Sequence, residues 1–294
     1  MSNGNSNAIT RSYLDSLLVE TRYLDSTNPT TSFQLYGATF SMPIMTGALS
    51  FLDQFMYPGA SADIARAAAE VNAPFWIGMA EDEEIQRCAA TGAKVVEIIK
   101  PFADRELIYR RIQHAEAQHL LAVGIDIDHP YADDGSPDVV SGHAMKALTS
   151  AELEELCRST SLPLITKGVL SLKDAEKSLQ AGVGGLLLSH HNNRIEYALP
   201  PALLLPEVVK LAGAVPVFID GEISSGMDAF KALALGAKAV GVGRPLMSAL
   251  KKDREKGVQD FLRKMNGGLA KAMACTGCAD LSQIDASILH HRSF

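Results

Sequence analysis

The stretch Leu186-Leu187-Leu188-Ser189-His190-His191-Asn192-Asn193-Arg194 is an aliphatic run that ends abruptly in polar and charged residues. Three other segments share this grammar: Leu164-Ile165-Thr166-Lys167-Gly168, Val217-Phe218-Ile219-Asp220-Gly221 and Val240-Gly241-Val242-Gly243-Arg244-Pro245. Amphipathic stretches such as Leu172–Ala181 and Met227–Leu235 lie between them. Near-continuous aliphatic runs mark parallel strands buried on both faces. Helices alternating with such strands give either a closed α/β barrel or a doubly wound sheet. In a barrel the strand C-termini build the site, which brings Lys167, His191, Asp220 and Arg244 to one mouth.

The same unit extends toward the N-terminus. Pro43–Ala48, Pro74–Met79, Val95–Lys100 and Leu120–Asp128 read as strands one to four. Helices are expected over Ser61–Val71, Glu81–Thr91, Asp104–Gln118 and Ser150–Arg158, the last opened by the cap-like Thr149-Ser150-Ala151-Glu152. Eight strands, each followed by a helix, favour a single (β/α)8 TIM barrel over an open sheet. Asp253 to Cys275 is expected to form the closing helix, interrupted at Gly267-Gly268. Long segments after strands four and six fall on the predicted active-site face and are expected to form a lid.

The chain has 294 residues, of which 47% are hydrophobic, enough for one large core. Residues 1–12 are polar and low in complexity and are expected to be a disordered tail, with residues 13–294 forming one barrel domain. A net charge of −7, without any basic run, argues against nucleic-acid or anionic-membrane partners. No apolar stretch approaches the roughly 20 residues of a membrane span. Four cysteines without an export signal point to reduced thiols and a cytoplasmic protein. Cys275-Thr276-Gly277-Cys278 lacks a second pair to complete a zinc site and reads as helix-end packing.

The C-terminal half resembles the FMN-dependent α-hydroxy-acid oxidase and dehydrogenase family. That family carries K-G on strand five, S-N-H-G-G-R on strand six, D-G-G-[VI]-R on strand seven and G-R-P on strand eight. The corresponding segments here are Thr166-Lys167-Gly168, Ser189–Arg194, Asp220-Gly221-Glu222-Ile223-Ser224 and Gly243-Arg244-Pro245. Gly124-Ile125-Asp126-Ile127-Asp128 and Thr276-Gly277-Cys278-Ala279-Asp280 resemble a bacterial subgroup. Met45-Thr46-Gly47-Ala48 is similar to the Met-Thr-Gly-Gly of FMN-dependent isopentenyl diphosphate isomerases.

The resemblance implies FMN as cofactor, a small anionic hydroxy acid as substrate and a homo-oligomer, a tetramer or octamer. It implies that Lys167 holds the pyrimidine end of the flavin and that Asp220 and Gly221 contact the ribityl chain. Gly243 and Arg244, with Ser224, would serve the phosphate, and Ser189, Asp126, Thr46 and Gly47 would complete the cofactor site. His191 would take the hydroxyl proton of the substrate and Arg194 would hold its carboxylate. Asp128 joins them among the catalytic groups. Lys100 stands where the family has an acid/base tyrosine.

Departures accompany the matches. Asn192 and Asn193 replace glycines, Glu222 replaces the second glycine of D-G-G, and Ser224 replaces a phosphate-binding arginine. The second substrate arginine, expected after strand four, has no counterpart, and Asp133 and Asp134 occupy that loop. His190 replaces an asparagine; strand alternation would turn it outward, away from the chemistry. Trp76 is expected in the barrel or cofactor wall. Asp126, Asp128 and His129 raise a Mg²⁺ or Mn²⁺ reading, weighed below cofactor orientation, so no metal is expected. Alternatives to the oxidoreductase are an FMN-dependent isomerase or other redox-neutral enzyme, and a non-catalytic barrel that binds a phosphorylated or anionic ligand.

Overall fold

The computed structural model describes residues 4–292. Eight parallel strands form one sheet: β1 (Ile44–Thr46), β2 (Phe75–Ile77), β3 (Val95–Ile99), β4 (Ala122–Asp126), β5 (Leu164–Val169), β6 (Gly185–Leu188), β7 (Val217–Ile219) and β8 (Ala239–Val242). Neighbours follow chain order from β2 to β8, and β8 then pairs with β1. The fold is the (β/α)8 barrel expected from the aliphatic runs.

The seam between β1 and β2 closes through few bonds. Thr46 N–H donates to the Pro74 carbonyl at 3.2 Å, and Gly78 N–H to that of Leu49 at 2.9 Å. The Thr46 hydroxyl bridges both backbone groups of Trp76: it accepts from the N–H at 2.7 Å and donates to the carbonyl at 2.9 Å. A buried hydroxyl has one donor and room to accept, so this side chain acts as a missing rung of the ladder.

Two apolar shells follow from burial on both faces. Inside the barrel, Met45, Trp76, Val96, Ile98, Ile165, Leu187 and Phe218 interdigitate, with Trp76 edge-on to Phe218. A hairpin of Phe33–Leu35 and Ala38–Phe40 plugs this interior with Phe33, Leu35 and Phe40. Outside, the strands meet the helices, among them α3 (Ala60–Glu70), α5 (Arg105–Ala117), α6 (Ser150–Arg158) and α8 (Pro201–Ala212). The Thr149 signal forms a full capping box with Glu152. The other named helices are α1 (Ser6–Ser16), α2 (Leu52–Phe55), α4 (Asp82–Ala89), α7 (Leu172–Gln180), α9 (Gly226–Ala234) and α10 (Arg244–Cys275).

Two expectations are corrected. The disordered tail fails over residues 4–12: α1 begins at Ser6, capped by the Asn5 side chain on the Ala8 N–H, and buries Leu14. Residues 1–3 lie outside the described residues. The composition is polar because α1 is anchored by hydrogen bonds to distant loops rather than by an apolar stripe. The closing helix is also different. It begins at Arg244, breaks at Asp253 and Arg254, and runs straight through Gly267-Gly268. There α9 crosses α10 so closely that a Cβ on Gly226 would lie 2.2 Å from the Leu269 nitrogen. Small residues at this crossing serve helix contact rather than helix breaking.

Thr46→Val keeps the volume but leaves the Trp76 N–H and carbonyl buried without partners. A loss of roughly 2–4 kcal/mol is expected, read as a lower urea midpoint; an unchanged midpoint would show that the seam does not depend on this hydroxyl.

Candidate active site

The mouth of the barrel is organised by three adjacent strands. Lys167 pairs in register with Asp126, and Lys100 follows Ile99, whose partner is Ile125. Lys100, Asp126 and Lys167 therefore form one transverse row, in which Asp126 Oδ2 accepts from Lys100 Nζ at 2.6 Å and Oδ1 from Lys167 Nζ at 2.7 Å. Burial pushes the Asp126 carboxyl upward, but Lys167, Lys100 and His191 outweigh it and hold it well below the usual range. Burial likewise opposes charge on Lys167, yet Asp126, Asp128 and Asp220 raise its pKa. The Asp126 contribution to stability is present above the ordinary carboxylate pKa and disappears as pH falls through the depressed folded value.

His191 stands next to this row. Its Nδ1 lies 3.0 Å from Asp128 Oδ1 and 3.3 Å from Lys167 Nζ. A carboxylate on Nδ1 favours the tautomer with hydrogen there, leaving Nε2 as the basic nitrogen. The His191 N–H donates to Ser189 Oγ at 3.0 Å, while the Ser189 hydroxyl also meets the Asp220 carboxyl. Gly168 makes the Asp128 position possible. At its φ of +88° an added Cβ would fall 2.3 Å from Asp128 Cγ, and β5 shifts register there between Lys167 and Val169.

Lys100, Lys167, Ser189 and His191 open on a cavity of about 630 Å³, a size typical of small-molecule and cofactor sites, while Asp126 and Asp128 lie behind them, outside its lining. Lys100, Lys167, Ser189, His191, Asp220, Gly221, Gly243 and Arg244 all line it, together with Gly47 and Ser224. Burial raises the Asp220 carboxyl despite Lys167 and Ser189. At the opposite end Glu222, at a left-handed φ of 58°, turns its carboxylate onto the Arg244 guanidinium. Ser224 gives both its N–H and its hydroxyl to Asp228, at 3.1 and 3.2 Å. Arg244 retains further guanidinium donors at the start of α10. A buried ammonium at one end and a guanidinium at a helix N-terminus at the other fit a long ligand, electron-rich at its inner end and anionic at its outer end. FMN has that chemistry.

Four expectations change. Thr46 does not line the cavity, because its hydroxyl is used at the barrel seam. Arg194 does not line it either: its guanidinium holds the Tyr131 carbonyl, Asp138 Oδ2 at 3.0 Å and His129 Nε2 at 3.2 Å. It thereby ties the loop after β6 to the loop after β4. His190 is not turned outward; it is 3% exposed, lines the cavity and accepts from the Asn193 N–H at 3.2 Å. Strand alternation ends with β6, and His191, Asn192 and Asn193 all take positive φ. Among the described residues, the carboxylate–histidine cluster that could hold a cation is Asp126, Asp128 and His191, not His129. A cation there would compete with two ammonium groups already bound to Asp126. Burial, Lys100 and Arg194 lower the His129 pKa to about 4.

Helix α1 was absent from the site read in the sequence. Ser6 N–H donates to Asn193 Oδ1 at 2.6 Å, and Asn7 Nδ2 to Asn192 Oδ1 at 3.0 Å. Arg11 donates to the Glu222 carbonyl at 3.0 Å and to Asp228 Oδ1 at 2.8 Å. The departures at Asn192, Asn193, Glu222 and Ser224 thus meet α1 directly or through Asp228. Only the positions that broke the motif could have signalled this.

Gly168→Ala should displace Asp128 from His191. A fall in turnover of at least about tenfold in protein that still folds, with an unfolding midpoint lowered by the strain of alanine at positive φ, is the expected result; full turnover would mean that the Asp128–His191 contact is dispensable.

A profile of the family described as FMN-dependent dehydrogenase matches residues 2–146 and 132–291. Among curated proteins, glycolate oxidase of Spinacia oleracea is 29% identical over 301 residues, covering 90% of this chain and 81% of that protein. 2-Hydroxyacid oxidase 1 of Homo sapiens is 29% identical over 299 residues, covering 88% and 80%. Among solved structures, mandelate oxidase with 3,3-difluoro-2-hydroxy-3-phenylpropionic acid superposes with a TM-score of 0.88 at 27% identity, covering 98% of this chain and 90% of that one. A mandelate oxidase variant with a monooxide FMN adduct gives 0.87 at 29% identity, covering 98% and 92%. With both halves of the barrel matched by one profile, this chain belongs to the FMN-dependent dehydrogenase family.

Proposed function

We propose that this protein is an FMN-dependent oxidoreductase that converts a small 2-hydroxy acid to the 2-oxo acid. The observation that carries the reading is that His191 and buried Lys167 line one cavity, with Asp128 behind them on the His191 Nδ1. Bound FMN supplies the two-electron acceptor for the hydride that leaves C2. His191 takes the hydroxyl proton at Nε2, and Asp128 at Nδ1 offsets the positive charge that develops on the ring. Lys167 presents a fixed ammonium toward the electron-rich end of the cofactor. Asp220, Ser189 and Gly221 are assigned to its middle, with Arg244 and Gly243 at its phosphate; Ser224, expected there from the sequence, gives its donors to Asp228 instead.

We further propose a cytoplasmic homo-oligomer, a tetramer or octamer. All four cysteines are free, which suits a reducing compartment. Ile195, Tyr197, Leu199 and Leu203 are exposed apolar side chains near the barrel mouth and suit a protein contact. No helix among the described residues is long and apolar enough to cross a membrane.

Added FMN should bind with a shifted visible spectrum, and a 2-hydroxy acid should bleach it anaerobically. His191→Ala should retain the flavin and slow bleaching by about 10²–10⁴-fold, the usual range for a general base. Bleaching at the wild-type rate would remove His191 from the proton transfer. Turnover without net flavin reduction would instead favour a redox-neutral reaction, and failure to bind FMN a non-catalytic barrel.

Arg244→Ala should weaken FMN by about tenfold or more, as expected for a lost charge-assisted contact, and leave riboflavin affinity unchanged. Equal losses for both ligands would place the phosphate elsewhere.

A further inference from the structure

Arg194 is engaged by the Tyr131 carbonyl, Asp138 and His129, and lies outside the cavity lining. A substrate carboxylate must therefore find its counter-ion elsewhere. Lys100 is 5% exposed and lines the cavity beside His129, His191 and Lys167. Its ammonium has three donors, and only Asp126 Oδ2, at 2.6 Å, accepts one among the described residues. Two N–H groups in a buried position without acceptors are costly unless a ligand or water receives them.

The surroundings favour an anion at this point. Both oxygens of Asp126 already face ammonium groups, Lys100 on one and Lys167 on the other. Asp128 is turned to His191. His129, across the cavity, stacks edge-on against His191 at 5.2 Å between ring centres and presents no carboxylate. Asp138, in the loop after β4, faces Arg194 and His129. The acidic groups around Lys100 are thus each engaged by a positive or imidazole partner, while Lys100 retains donors.

We propose that Lys100 holds the carboxylate of the substrate, and that Arg194 instead clamps the two lid loops together. The inference rests on the hydroxy-acid reading above and names the residue that selects the anion. An ammonium binds as a point charge, without the fixed fork of a guanidinium. The carboxylate is consequently held through one group beside the Lys167 row, and its orientation is left to His191 and the cavity walls. Small 2-hydroxy monocarboxylates should be accepted, and their uncharged amides discriminated against through Lys100 alone.

The test uses the FMN-loaded protein and oxalate, a non-reducing anionic analogue, with binding followed by calorimetry and by the flavin difference spectrum. Lys100→Met should raise the oxalate Kd at least tenfold and raise KM for a 2-hydroxy acid more than it lowers kcat. Its ratio of acid to amide turnover should collapse, and Lys100→Arg should restore much of the oxalate affinity. Arg194→Met should change the oxalate Kd by less than Lys100→Met does. If Lys100→Met disturbs flavin content, Lys100→Gln, which still donates to Asp126, is measured in its place with the same expectation. Oxalate affinity unchanged in Lys100→Met and Lys100→Gln, or lost in Arg194→Met but not in them, overturns the proposal. Wild-type protein that binds oxalate but is reduced by no 2-hydroxy acid would overturn the functional reading instead, leaving the Lys100 assignment to be decided by the binding data.

Discussion

The sharing of the Asp126 carboxylate between Lys100 and Lys167 is the constraint around which the barrel mouth is built. Each ammonium alone would be expensive in this position, and the carboxylate alone more so. Together they lie across β3, β4 and β5 in adjacent register, so the sheet itself sets their spacing. Such a network contributes little net stability over an apolar row of similar volume. Its use is to fix charged groups at the base of a cavity before any ligand arrives, which is what electrostatic catalysis requires.

The second layer of organisation is backbone geometry. Asp128 reaches His191 because Gly168 leaves room beside a bulge in β5. Beyond β6 the chain passes through three consecutive residues with positive φ, His191, Asn192 and Asn193. Asparagine tolerates that region better than most residues, and here the two side chains also hold α1. Strain at the site is thus offset by hydrogen bonds from a segment nearly two hundred residues away in sequence.

That segment links both ends of the cavity. Through Asn193 it meets the histidine loop, and through Arg11 it meets the Glu222 carbonyl and Asp228. Glu222 in turn orients Arg244. With asparagines at 192 and 193 and a glutamate at 222 where the family has glycines, the chain gains a fixed frame around the same places. The departures at Asn192, Asn193, Glu222 and Ser224 are joined through α1.

The strands and most helices were legible because burial on both faces demands continuous aliphatic runs, and because Thr149 and Glu152 spell out a cap. The grouping of Lys167, His191, Asp220 and Arg244 followed from the rule that strand C-termini share one mouth. What no local pattern carried was how side chains are spent once brought together. Thr46 hydrogen-bonds Trp76, Arg194 bonds Asp138 across two loops, and His190 turns inward after the strand ends. Each choice is set by which acceptor or empty volume lies nearby in space, often far along the chain. Gly267-Gly268 makes the same point: glycine permits a helix to break or to touch another, and only the position of Gly226 decided between them. The sequence by itself determined the barrel and the chemistry gathered at its mouth. Tertiary structure decided which of those groups remain free to meet a ligand, because hydrogen-bond partners and close contacts are properties of distance rather than of order along the chain.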